Sequence, residues 1–214
     1  MTQQANSLMH LRTHPVGDWQ MNAYALICPH TNESVLIDPG NEPDELSKLV
    51  AGTQPIAILI THTHPDHIDA LEAMRERLRV PVYAAGEPHF NDVKIHTDRV
   101  LRAGDEFKVG AHTLRVYETP GHCIDQIAFE VIGTPLTPMT IVGDAIFAGG
   151  PGRTHNAASF KILLKTLQNV VLGWPDETLC YPGHGPHFRL GDKRAAIAAF
   201  VARDHGEFFG DAEW

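Results

Sequence analysis

The sequence reads Thr61-His62-Thr63-His64-Pro65-Asp66-His67 directly after the continuous apolar run Ile56–Ile60. Such a run predicts a strand that is buried on both faces. In the extended segment that follows, alternate side chains point the same way, so His62 and His64 can present two imidazoles to one ion. The proline then forces a turn, which brings Asp66 and His67 round towards the same space. These nitrogen and oxygen donors suit a borderline metal such as zinc.

A plainer interpretation of the same residues is also open. Asp66 could cap the helix predicted over residues 68–78, with the histidines merely exposed to solvent. Four residues of ligand type within six positions at the end of a strand favour the metal site over this alternative.

Three later junctions between a predicted strand and a loop carry residues of the same kind. They are His122 after the strand that ends at Glu118, Asp144 after residues 140–142, and His184 after residues 178–181. A glycine stands beside each of them, and a residue without a Cβ lets the backbone pass close to an ion. Since α/β folds place their sites at the ends of strands, we expect these residues to join the first cluster.

The remaining pattern predicts strands mixed with helices. Strands are predicted at residues 24–28, 34–38, 56–60, 82–84, 106–109, 113–118, 126–132, 140–142 and 178–181. Helices are predicted at residues 43–50, 68–78, 159–171 and 195–201. This order fits a layered α/β or α+β arrangement with helices outside sheets. No stretch reads as a linker, so a single domain over residues 1–214 is expected.

Composition excludes several classes of partner. The net charge of −9 with no run of Lys or Arg argues against nucleic acid or an anionic membrane surface. No apolar run reaches the roughly 18 residues of a membrane span. The three cysteines imply no disulfide framework, and the first residues do not read as a secretory signal. We therefore expect a cytoplasmic protein, whose 14 histidines indicate either pH response or metal binding.

The ordered series His62-x-His64-x-Asp66-His67, His122, Asp144, His184 resembles the metallo-β-lactamase superfamily. The turn Asp38-Pro39-Gly40 also looks like that family's early turn, and the resemblance extends from about Tyr24 to Gly185. It implies an α/β fold, the four-layer αβ/βα sandwich, with the metals at one edge. It implies two divalent ions, one held by His62, His64 and His122, the other by Asp66, His67 and His184, with Asp144 bridging. Zinc is expected, with iron open at one of the two positions.

The resemblance also implies hydrolytic chemistry. Metal-bound water has a pKa of about 7. Hydroxide is therefore available at neutral pH to cleave a thioester or ester of a small acyl substrate. Asp66 is then both a ligand and the candidate catalytic residue that orients the nucleophile. The segment from Asp144 to Thr154 looks like that of glyoxalase II-like thioesterases and of persulfide dioxygenases. The Tyr181–Pro186 ending is more like that of single-domain glyoxalase II-like hydrolases.

Arg153 is the candidate for binding an anionic end of the substrate, because its guanidinium group can hold a carboxylate with two hydrogen bonds. A solvent-facing loop arginine is the plainer alternative. Two other activities stay open at this point: a mononuclear iron persulfide dioxygenase, and a lactonase or other ester hydrolase of the same fold. A homodimer is also open.

Overall fold

Two six-stranded sheets form the framework of the computed structural model, which describes residues 8–133 and 138–214. The first sheet has the order β1-β2-β3-β4-β5-β6, with β1 (His10–Val16), β2 (Met21–Ile27), β3 (Glu33–Ile37), β4 (Gln54–Leu59), β5 (Val82–Ala85) and β6 (Arg99–Leu101). The second has the order β12-β11-β10-β9-β8-β7, with β7 (Glu106–Val109), β8 (His112–Glu118), β9 (Ile127–Ile132), β10 (Met139–Gly143), β11 (Leu179–Pro182) and β12 (Phe188–Arg189). Both sheets mix parallel and antiparallel pairs.

Helices cover the outer face of each sheet. They are α1 (Pro43–Leu49), α2 (Pro65–Ile68), α3 (Leu71–Leu78), α4 (Ala157–Asn169) and α5 (Gly191–Val201), and two short 3₁₀ turns lie at Phe90–Asp92 and Val171–Gly173. Apolar side chains of α1 and α3 pack on the first sheet, and those of α4 and α5 pack on the second. The layers therefore follow the order helix, sheet, sheet, helix, which confirms the expected αβ/βα sandwich.

Strand β4 shows why the apolar run before the histidines is continuous. Leu59 packs in the core between the two sheets, with Phe129 among its neighbours there. Its neighbour Ile58 belongs to the other core, under α1 and α3. Because successive side chains of a strand point to opposite faces, a strand with a core on each side needs an apolar residue at every position. The prediction of a strand buried on both faces is confirmed.

The two predicted hairpins are also confirmed. Strands β2 and β3 pair in antiparallel fashion around residues 28–32, and β7 pairs with β8 around Gly110 and Ala111. Strands β1, β6 and β12 were not predicted. Two of them have only two or three residues, and β1 contains several polar residues and a proline.

The predicted helix over residues 68–78 is wrong at its start. Helix α2 ends at Ile68 and α3 begins at Leu71. Between them the Ala70 amide donates a hydrogen bond to the Pro39 carbonyl at 2.9 Å, which turns the chain towards the end of β3. The approach is close, since a Cβ on Gly40 would lie 1.7 Å from the carbonyl oxygen of Asp66. Packing of this turn overrides the helical periodicity.

Within residues 8–133 and 138–214, none of the helices has the length and apolar character needed to cross a bilayer.

The core between the sheets predicts a large stability effect at Phe129, whose ring is fully buried. Substitution Phe129→Ala should lower the free energy of unfolding by about 3–5 kcal/mol, because it removes apolar contacts and leaves a cavity. The matched control is Phe209→Ala, at a ring that is 55% exposed, and it should change that free energy by about 0.5 kcal/mol or less. Urea unfolding of both metal-loaded variants tests the difference; equal midpoints would contradict this description of the core.

Candidate metal centre

Loops at the ends of four strands bring all seven predicted ligands to one edge of the facing sheets. Strand β4 leads to His62 and His64, β8 to His122, β10 to Asp144 and β11 to His184. The donor atoms form three overlapping groups, in each of which they lie within 4.8 Å of one another: His62, His64 and His122; His62, His67 and Asp144; Asp66, His67 and His184.

The first group is a cluster of three ring nitrogens. The Nδ1 atom of His64 lies 2.9 Å from Nε2 of His62 and 2.8 Å from Nε2 of His122. The other nitrogen of His122, Nδ1, lies 2.8 Å from the Arg153 carbonyl oxygen, to which it must donate because a carbonyl only accepts. This bond fixes the tautomer of His122 and leaves the lone pair of Nε2 facing His64, the orientation that a metal ligand needs.

The third group, Asp66, His67 and His184, combines a carboxylate with two rings. Oδ2 of Asp66 lies 3.0 Å from Nε2 of His184 and 3.9 Å from Nε2 of His67. The His184 ring donates from Nδ1 to the carbonyl oxygen of Trp19 at 3.1 Å. Nε2 of His67 is buried and has no hydrogen-bond partner among the described residues. A buried polar atom of this kind is costly unless a ligand satisfies it.

Asp144 belongs to the second group and lies between the first and the third. Its Oδ1 is 3.5 Å from Nε2 of His67, and its Oδ2 is 3.6 Å from Nε2 of both His122 and His184. The Asp144 carboxylate fits only because residue 183 is glycine: a Cβ at that position would lie 2.2 Å from Oδ1 of Asp144 and 2.7 Å from Cε1 of His67. The glycine beside His184 therefore makes room for donor atoms, as the sequence pattern predicts.

Asp38 holds both groups in place, although the sequence analysis assigned it no role beyond its turn. Its carboxylate accepts hydrogen bonds from the Thr61 amide and hydroxyl, both at 2.7 Å, and from Nδ1 of His67 at 2.9 Å. The Thr61 hydroxyl oxygen in turn lies 3.1 Å from Nδ1 of His62 and accepts from it. One buried carboxylate thereby directs Nε2 of His67 and, through Thr61, Nε2 of His62 into the centre.

Charge differs between the two groups. Burial holds the pKa of His62 well below its usual range and, with the neighbouring His122, lowers that of His64 to about 3. These rings are therefore neutral at pH 7, which is the form that binds metal. Burial opposes protonation of His67 as well, but the carboxylates of Asp144 and Asp38 outweigh it and raise its pKa.

Asp144 stays ionised in spite of its burial. Burial alone would raise the pKa of its carboxyl group, but the neighbouring His67, His122 and His184 lower it to about 2. The neutral rings of His62 and His64 thus lie beside a buried carboxylate, and two buried atoms, Nε2 of His67 and Oδ1 of Asp144, have no hydrogen-bond partner among the described residues. Nitrogen and carboxylate donors converging in this way fit divalent metal ions.

A cavity of about 750 Å³ opens over the centre. Trp19, 75% exposed at the loop between β1 and β2, forms one wall, and Phe90 forms another with its ring 4.1 Å from that of His64. The Phe90 amide donates to the Thr63 hydroxyl, which donates to the buried carboxylate of Asp125. Neither aromatic wall was predicted, because each comes from a loop whose sequence carries no pattern of its own.

The candidate substrate residue Arg153 also lines this cavity, together with His155. Its guanidinium Nη1 lies 2.7 Å from Oδ2 of Asp211, a residue that is 58 positions further along the chain. Arg153 thus lies at the cavity and pairs with an acid that was not predicted, and its role in substrate binding stays a prediction.

Comparison with known proteins agrees with this geometry. Residues 16–196 match the family model described as the metallo-beta-lactamase superfamily. The chain is 32% identical over 197 residues to a probable metallo-hydrolase, YqgX, of Bacillus subtilis (strain 168), covering 83% of this chain and 91% of that protein. It is 32% identical over 173 residues to a hydroxyacylglutathione hydrolase of Polaromonas sp. (strain JS666 / ATCC BAA-500), covering 78% of this chain but only 64% of that protein.

Solved structures agree as well. The protein TTHA1623, crystallised in a di-iron-bound form, superposes with a TM-score of 0.70 at 30% sequence identity, covering 85% of this chain and 96% of that one.

The hydrogen bonds of Asp38 predict a loss of metal affinity on substitution. The Thr61 hydroxyl and Nδ1 of His67 both donate to Oδ2 of Asp38. In Asp38→Asn an NH2 group at that position would face these two donors and could not accept from them. We therefore expect zinc affinity to fall about 10- to 100-fold. Competition with a chromophoric chelator measures this.

The matched control is Asp98→Asn. Asp98 also accepts a backbone hydrogen bond, from Val82, and pairs with a histidine, His96, but lies outside the centre. An equal loss of zinc affinity in both variants would contradict the specific role of Asp38.

Proposed function

The chain belongs to the metallo-beta-lactamase superfamily, and on that basis we propose that it is a metal-dependent hydrolase that cleaves a thioester or ester of a small acyl substrate. The observation that carries the proposal is Asp144, whose two carboxylate oxygens face donor groups on either side at the floor of an open cavity. A relative named as a hydroxyacylglutathione hydrolase supports the thioester as the bond cleaved.

We assign the ligands in two sets that share one carboxylate. His62, His64 and His122 would hold one divalent ion, Asp66, His67 and His184 would hold the second, and Asp144 would be shared by both sets. Zinc suits these donors, and the di-iron form of a related structure keeps iron as the alternative occupant. Divalent ions in these positions supply Lewis acidity and lower the pKa of a coordinated water towards about 7.

The chain's own contribution to the reaction centres on Asp66. Its carboxylate lines the cavity and is half-buried. Burial would raise its pKa, but the hydrogen bond to His184 and the charge of His67 lower it, so the carboxylate is ionised at neutral pH. Oδ2 can therefore accept a hydrogen bond from the attacking water and orient it. Asp66 is the catalytic residue of the proposal as well as a ligand.

The lining of the cavity supports direct attack by water. Among the described residues that line it there is no Ser, Cys or Lys that could form a covalent intermediate. The three cysteines are all buried, and none is among the residues that line the cavity. Trp19 and Phe90 provide apolar surface for the acyl or thiol portion, and Arg153 provides a guanidinium group for an anionic end.

Asp66→Ala tests this assignment, and Asp69→Ala is its control. Asp69 lines the same cavity three positions later but belongs to none of the donor groups. We expect Asp66→Ala to lower kcat/KM for an acyl thioester at least about 100-fold, because a ligand and the water-orienting carboxylate are both lost. Asp69→Ala should keep kcat/KM within about threefold of the parent. Thiol release detected with a chromogenic reagent gives both values; full activity in Asp66→Ala would overturn the proposal.

Metal content separates the proposal from the persulfide dioxygenase alternative. Elemental analysis of protein purified without added metal should find close to two ions per chain, because both donor sets are complete. A dioxygenase would instead contain one iron and consume oxygen with a thiol persulfide. One iron per chain together with oxygen uptake would contradict the proposed hydrolysis. Turnover of a lactone but of no thioester would show that the bond cleaved is an ester.

A further inference from the structure

The last ten residues of the chain lie against the loop that carries Arg153. The Thr154 amide donates to the Gly210 carbonyl at 3.2 Å, and the Trp214 amide donates to the Gly149 carbonyl at 3.1 Å. We call residues 205–214 the C-terminal strap. Its two backbone hydrogen bonds bracket the loop of residues 149–154, so the strap follows the wall of the cavity on the Arg153 side.

Aromatic contacts anchor the strap to the helices of the second sheet. The ring of Phe208 lies 5.0 Å from that of Phe160 on α4, and the ring of Trp214 lies 5.6 Å from that of Phe200 on α5. Lys161 adds an ion pair with Glu207 at 2.7 Å. These contacts hold the strap in register with the loop, and the position of Asp211 between Gly210 and Trp214 is thereby fixed.

Arg153 is attached at both its main chain and its side chain. Its carbonyl oxygen accepts from Nδ1 of His122, and its guanidinium group pairs with the carboxylate of Asp211 at 2.7 Å. Among the described residues that line the cavity, Arg153 is the only Lys or Arg, whereas four are acidic, namely Asp18, Asp66, Asp69 and Asp144. While the reacting carbonyl group occupies the metal centre, a second carboxylate elsewhere on the substrate would therefore be drawn to the guanidinium group that Asp211 already contacts.

Building on the proposed function, we propose that Asp211 determines the charge specificity of the site. Its carboxylate occupies the position on Arg153 that the carboxylate of an anionic acyl group would take. An anionic substrate must compete with Asp211 for the guanidinium group, whereas a neutral acyl group does not. The side chains of Arg153 and Asp211 are 59% and 76% exposed, and exposed ion pairs are weak. Asp211 therefore biases the enzyme towards neutral acyl groups without blocking anionic ones.

The test compares two thioesters of one neutral thiol, S-acetyl- and S-succinyl-N-acetylcysteamine, which differ in the carboxylate of the acyl group. In Asp211→Asn the KM for the succinyl thioester should fall about two- to fivefold, the range that an exposed ion pair supports. The KM for the acetyl thioester and kcat for both should stay as in the parent. Glu207→Gln is the matched control, since it removes the other ion pair of the strap at the same distance but away from the cavity.

A variant that lacks the Arg153 side chain shows whether the effect of Asp211 on the KM depends on Arg153. In Arg153→Met the additional change Asp211→Asn should no longer lower the KM for the succinyl thioester. A decrease of the same size in that background, or in Glu207→Gln, would mean that general charge or loosening of the strap is responsible, and would overturn the assignment of Asp211.

Binding of succinate itself, measured by calorimetry with the metal-loaded protein, separates failure of this inference from failure of the proposed function. We expect Asp211→Asn to bind succinate about two- to fivefold more tightly than the parent, and only when Arg153 is present. If this holds while no thioester or ester is hydrolysed, the proposed function fails and the role of Asp211 stands. If thioesters are hydrolysed but neither succinate affinity nor the succinyl KM changes, Asp211 is not a specificity determinant.

Discussion

The carboxylate of Asp38 is the constraint on which the centre depends. It comes directly after β3, and it binds the amide and hydroxyl of Thr61 at the end of the neighbouring strand β4. The same carboxylate binds Nδ1 of His67 beyond the turn. Asp38 belongs to none of the three donor groups. It nevertheless fixes the ends of two parallel strands and the direction of two imidazole rings. Asp38 itself has a φ of 52°, a left-handed conformation that Asp adopts more readily than most residues.

This arrangement has a physical cost that a bound cation removes. Nε2 of His67 and Oδ1 of Asp144 are buried without hydrogen-bond partners among the described residues, and two pairs of ring nitrogens approach within 3 Å. In a fold with apolar clusters on both faces of its sheets, such groups are expensive unless a ligand satisfies them. Ions at this edge would satisfy all of them at once, so metal binding and the stability of the folded edge should be linked.

The sequence predicts features that arise from residues close together in the chain, and it misses features that arise from contacts between residues far apart in the chain. The strands around the site and the positions of His62, His64, His122 and His184 follow from local features, namely apolar runs that end in a histidine or in a glycine next to one. The sandwich and the pairing of ligands into two sets followed from the resemblance of this series to a known family. The break between α2 and α3 was not predictable, because it arises from contacts with the distant turn at Pro39 and Gly40. Asp211 was missed for the same reason, since its partner lies 58 positions away.

The central claim is that two ions share Asp144, and anomalous diffraction from crystals of the zinc-loaded protein tests it most directly. The proposal predicts two zinc peaks about 3.5–4 Å apart, with Asp144 in contact with both. The first peak should be bound by His62, His64 and His122, and the second by Asp66, His67 and His184. A single peak at full zinc occupancy, or a second peak held by other side chains, would contradict the account.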